Sequence, residues 1–196
     1  MQAKYFFLLL LFLYTTKAQS FHRNNNETAE AFVKRITNRE YLPHPVIETA
    51  EWDSTRKVII YFVEDSEEES VTGYLLIPGT NRQYRRVLID TIQPDDGRSV
   101  IESVLFANAD KDKQREIVIM IKWPQRRRGA HIDGDFYDTQ VYDVPDLNNP
   151  PAKLSFYKEI SDKLDGGFEG ETKTGSHKAK YKTVSSVRAA LKKMGY

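Results

Sequence analysis

Residues 102–123 read E-S-V-L-F-A-N-A-D-K-D-K-Q-R-E-I-V-I-M-I-K-W, two apolar runs on either side of a short polar loop rich in acids. The pattern predicts strand, acidic loop, strand. Residues 117–121 are apolar throughout, which predicts a strand covered on both faces and puts the loop at the rim of the sheet's centre. Asn108, Asp110, Asp112 and Glu116 fall at relative positions 1, 3, 5 and 9 of that loop. Short oxygen-bearing side chains at alternate positions of a tight turn converge on one point, which is what a hard cation requires. Calcium takes about 6 to 8 oxygens at roughly 2.3 to 2.6 Å. Three carboxylates, the Asn108 amide oxygen, a carbonyl from around Gln114 and water would supply them, so the expected ligand set is Asn108, Asp110, Asp112, Gln114 and Glu116, with Ca2+ as the ion.

These residues resemble the D-x-D-x-D-G-x-x-D calcium loop of FG-GAP and VCBS-type repeats, which also sits between two strands. The resemblance covers residues 102–123 only, and it implies a structural calcium site. It has two departures: Asn108 removes one charge, and Lys113 stands where the pattern has the glycine that eases the turn. An EF-hand is excluded, because its twelfth position supplies a bidentate Glu and here that position is Ile119. The rival reading is a solvated hairpin loop in which Lys111, Lys113 and Arg115 neutralise the acids without an ion.

The chain has 196 residues, 40% hydrophobic and 12% aromatic, enough for a single sizeable core. Lys4, the apolar run 5–14 and Thr16-Lys17-Ala18 have the layout of a secretory signal peptide cleaved after Ala18, and the run is shorter than the roughly 20 residues a membrane span needs. The expectation is a secreted or periplasmic protein with no membrane span after cleavage. Taking Lys4 and Lys17 from the 29 basic residues leaves 27 against 28 acidic, a net charge of −1, so bulk charge selects no partner. There is no cysteine, which removes disulfides, thiolate metal sites and cysteine nucleophiles.

Residues 19–55 read as a polar leader, a short helix through Ala29, Phe32, Val33 and Ile36, and an extended connector at Tyr41-Leu42-Pro43-His44-Pro45. Asn26-Glu27-Thr28 matches a glycosylation sequon, but it is read as the entry to that helix. Residues 56–196 form the expected β-rich domain. Strands are predicted at 57–64, 71–78, 84–92, 99–107 and 117–121, separated by turn signals, with another at 136–143. Residues 125–135 read as a long loop, 154–164 as a moderate helix, 165–180 as a Gly- and Lys-rich loop, and the stripe Val184, Val187, Leu191, Met194 as a C-terminal helix. The fold class is α+β, an antiparallel β-meander sheet with helices near both termini. No internal repeat is present, so the loop's likeness does not extend to a propeller.

The segment after the central strand carries Arg126, Arg127, Arg128 and His131, a candidate surface for a protein or an anionic polymer of the cell envelope, with Asp133 and Asp135 as candidate extra ion ligands. Exposed arginines and an Asp-Gly turn explain the same residues without a partner. Residues 171–196 hold seven basic side chains against Glu171, but nucleic-acid binding is not expected without an aromatic platform. There is no H-E-x-x-H, no G-x-S-x-G and no complete phosphate loop. The expectation is a non-enzymatic binding protein of inhibitor or immunity type. Two alternatives stay open: a calcium-dependent hydrolase of phosphate or glycan substrates built on Asp110, Asp112 and Glu116 with Asp133 or His131 as the base, and a structural envelope protein without an ion.

Overall fold

The computed structural model describes residues 19–144 and 146–196, so the expected signal segment, 1–18, lies outside the described residues. Strands β1 (Ser20–His22), β2 (Ile47–Thr49), β3 (Val58–Asp65), β4 (Ser70–Pro78) and β5 (Gln83–Ile92) form one antiparallel sheet in the order β1-β5-β4-β3-β2. Strands β6 (Val100–Ala107), β7 (Glu116–Arg127), β8 (Ile132–Tyr142), β9 (Gly167–Thr172) and β10 (Gly175–His177) form a second in the order β10-β9-β8-β7-β6. Three helices accompany them: α1 (Ala29–Thr37), α2 (Lys158–Lys163) and α3 (Val184–Met194). The α+β class and the antiparallel meander hold, with the strands shared between two sheets.

Alternation along the strands builds four layers. Val58, Ile60 and Phe62 of β3 face Ile117, Ile119, Ile121 and Trp123 of β7 in one core between the sheets. Ile59 and Tyr61 point the other way, onto Phe32 and Val33 of α1. Val118 and Met120 of β7 likewise point outward, against Ile160 of α2 and Val187 and Leu191 of α3. The order is therefore α1, first sheet, second sheet, α2 with α3. β7 is apolar throughout because both its faces are covered, as its sequence predicts. The crossover from β5 to β6 is pinned by Trp123, whose indole N–H lies 3.0 Å from both the Gln93 carbonyl and the Ser99 hydroxyl.

Both longer helices carry the caps their sequences suggest. Thr28 Oγ1 accepts from the Ala31 amide and Asn38 closes α1 in the left-handed region, while Thr183 and Ser186 form a reciprocal cap on α3.

Four expectations are corrected. Residues 20–22, read as part of a polar leader, pair with β5, and Arg86 lies over the Phe21 ring. Residues 125–135 are not a long loop: β7 and β8 run on to a tight hairpin paired as far as Arg127 and Ile132, with His131 in the left-handed region. Residues 165–180 contain β9 and β10, and Gly170 of β9 lies so close to Gly134 of β8 that neither position has room for a side chain. A Cβ on Gly134 would collide with the Glu169 carbonyl and the Phe168 ring. Finally, the helix expected over 154–164 is confined to α2, because residues 155–157 run extended beside the end of β8.

Candidate metal centre

The acidic loop joins β6 to β7. Three successive Asx turns shape it: Asn108 Oδ1 accepts from the Asp110 amide at 3.3 Å, Asp110 Oδ1 from Asp112 at 2.8 Å, and Asp112 Oδ1 from Gln114 at 2.6 Å. Each turn fixes one side-chain oxygen and holds the side chain inward, which is the physical content of the alternate spacing. Asn108 Nδ2 also donates to the Asp112 carbonyl at 2.7 Å, closing the loop on itself. Lys113 keeps a negative φ, so this turn is made without the left-handed residue for which the repeat pattern reserves glycine.

Carboxylate oxygens of Asp110, Asp112 and Glu116 come within 4.8 Å of one another. Glu116 is the first residue of β7, and among the described residues it is the one charged side chain that is fully buried. Its Oε2 accepts from the Ala109 amide at 2.5 Å, whereas its Oε1 is buried with no hydrogen-bond partner. A buried carboxylate oxygen without a donor is expensive unless a cation or a proton compensates it. Burial pushes the Glu116 carboxyl up to about 7, the charges of Asp110 and Asp112 add to the rise, and the Ala109 N–H opposes it.

The surroundings are unevenly polar. Asp110 Oδ2 accepts from the Tyr157 hydroxyl at 3.2 Å. Burial, followed by the neighbouring carboxylates of Asp143 and Asp110, raises the Tyr157 phenol well above its ordinary range. On the solvent side, Asp112 and Gln114 line an open cleft of about 610 Å³ together with Trp52, Arg56, Asp143 and Asn148. Trp52 donates to the Arg115 carbonyl at 2.7 Å and packs edge-on against Phe106, bracing the far end of the loop.

Of the expected ligands, Asp110, Asp112 and Glu116 are brought together, and Asn108 and Gln114 frame the same turns. Arg115 beside them pairs with Glu51. The arginine triplet does not act as a unit. Arg126 pairs with Asp133 at 2.8 Å and with Asp135 at 3.3 Å across the hairpin, and Arg127 pairs with Asp96. Asp133 and Asp135 are thereby engaged by an arginine and add nothing to the ion site. Arg126, Arg128 and His131 do share a cleft of about 580 Å³ with Asp133, Glu171 and Thr172, a wall of mixed charge.

Sequence reasoning missed Tyr157, Asp143 and the structural part played by Ala109. Tyr157 lies 47 residues from Asp110, and no local signal connects the two. Among the described residues, no helix is long and apolar enough to cross a membrane. Compared with known proteins, the chain matches no family model, no curated protein and no solved structure.

Proposed function

We propose that the protein is a small exported binding protein of the cell envelope, not an enzyme, whose acidic loop holds a structural calcium ion. The observation that carries the ion reading is the fully buried Glu116, whose Oε1 has no hydrogen-bond partner and whose carboxylate brings one oxygen within 4.8 Å of oxygens of Asp110 and Asp112. Three carboxylates gathered around one point repel one another. A divalent cation removes that repulsion and gives the orphan oxygen a partner. Calcium suits an all-oxygen set of carboxylates and amide groups on a flexible loop, and it is plentiful outside the cytosol. Export is supported by the layout of residues 1–18. The cleft at Arg128 and His131, with its mixed charge, suits a protein partner.

Thermal unfolding tests the ion reading. In chelator, then at calcium a hundred times its Kd, the wild type gains about 2.7 kcal/mol, or roughly 5–10 °C for a chain of this size. Asp112→Ala abolishes the gain. A wild type that melts at one temperature in both buffers would reduce residues 108–116 to a solvated turn.

The hydrolase reading has one observation in its favour, the open cleft that Asp112 shares with Asp143. A hydrolase panel run with and without calcium separates the two. Turnover abolished by Asp112→Ala in a folded protein would replace the binding-protein reading.

A further inference from the structure

We infer that Tyr157 is a positioning residue of the ion site and that, through it, the loop's occupancy is coupled to the docking of α2 and α3 on the second sheet. This rests on the calcium reading above.

Two separate contacts run from the loop into the helical layer. The first is Ala109, which stands between the candidate ligands Asn108 and Asp110. Its side chain is fully buried in the cluster that holds Ile160, Leu164 and Val187, while its N–H donates to Glu116 Oε2. The loop therefore cannot spread without drawing Ala109 out from under the helices.

The second contact is the Tyr157 phenol. Asp110 Oδ1 accepts from the Asp112 amide and Oδ2 from the Tyr157 hydroxyl, so the phenol completes the orientation of this carboxylate while each oxygen keeps a lone pair for a cation. Asp143 is a second carboxylate acting on that hydroxyl. The phenol cannot rotate away without giving up its charged acceptor on Asp110. Outer hydrogen-bond partners of this kind orient metal ligands and raise affinity without touching the ion.

Tyr157 is also the residue immediately before α2. Its N–H donates to the Val141 carbonyl at 2.9 Å. Ser161, one turn on, accepts from the Val141 amide at 3.0 Å and donates to the Tyr157 carbonyl at 2.9 Å. The start of α2 is consequently fastened to β8 by its backbone and to Asp110 by a side chain. Repulsion among Asp110, Asp112 and Glu116 in the ion-free loop loads both contacts, and a cation relieves it. The helical layer is held more tightly when the loop is filled.

The test is calorimetric titration with calcium ions, combined with amide hydrogen exchange in calcium and in chelator, on the purified wild type and Tyr157→Phe. In the wild type, protection of the α2 and α3 amides rises with calcium. Tyr157→Phe binds calcium at least about 10-fold more weakly, loses less stability in chelator than in calcium and loses the calcium-dependent rise at α2. Wild-type affinity in Tyr157→Phe, or helix protection indifferent to calcium in a wild type that binds it, would overturn the coupling and leave the ion reading standing. So would a variant that loses as much stability in chelator as in calcium, since the phenol would then be a packing group alone. A wild type that binds no calcium would remove the coupling together with the reading beneath it.

Discussion

Glu116 sets the ion-free behaviour of the molecule. Unfolded, its carboxyl titrates near the ordinary 4.5, and folded it titrates at about 7. The folded state holds the proton more tightly, so this group's contribution to stability is complete below pH 4.5 and is lost as the pH rises through about 7. Over that span the loss is of order 3 kcal/mol. Calcium-free protein should therefore melt at a higher temperature at pH 5 than at pH 8, and Glu116→Gln should flatten the difference while raising the pH 8 value. Melting curves of the two proteins at both pH values check this, and a wild type with no such slope would mean Glu116 is not buried as described. Glu27 runs the opposite way. Its contact with Arg35 lowers its carboxyl to about 2, so its contribution is present above pH 4.5 and is lost as the pH falls through 2. At this scale the sequence was partly legible. Asn108, Asp110 and Asp112 announce themselves because i to i+2 Asx turns are local. Burial of Glu116 does not, since it depends on what β7 packs against.

Legibility among the elements follows the same physics. β3 to β6 and the core of β7 are apolar strands bounded by turn residues, and their limits fall within a residue or two of expectation. The β7–β8 hairpin tip was hidden because Gln125, Arg126 and Arg127 are polar on both faces and carry no alternation. β9 was hidden because Gly167 and Gly170 read as loop, yet the packing demands glycine at 170 and the positive φ favours it at 167. Gly134 and Gly170 lie opposite one another in the β8–β9 pairing, where side chains would collide with the neighbouring backbone. Gly134→Ala should cost about 2 kcal/mol or more. Gly129→Ala, where an added Cβ meets nothing within 4 Å, should change stability by less than about 0.5 kcal/mol. Urea unfolding of both variants checks the contrast, and equal effects would refute the close approach.

In the whole molecule, the division into two sheets was the feature that the sequence concealed. An antiparallel meander carries the same local signals whether the next strand extends the sheet or crosses to another. The crossing falls at residues 93–99, where Pro94-Asp95-Asp96-Gly97 signals only a turn. Because both sheets share one central core and each carries helices outside, damage to an outer layer should be felt throughout. Phe32 of α1 is fully buried against the first sheet, its ring centroid 5.2 Å from that of Tyr84. Phe32→Ala should cost about 3–5 kcal/mol. Its loss should appear at one midpoint by far-ultraviolet circular dichroism and by Trp123 fluorescence, although Trp123 lies in the core between the sheets. Separate midpoints would show that the layers melt independently.

The shortness of β2 has a consequence for solubility under stress. Among the described residues it covers its neighbour only at residues 58–60, while β3 carries Val58-Ile59-Ile60-Tyr61-Phe62-Val63, uncharged, free of proline and rich in branched and aromatic side chains. Such a segment seeds intermolecular cross-β stacking once its backbone is free. Three residues of β2 and the α1 layer guard it in the native state. Transient opening of that edge is where aggregation of this protein would begin.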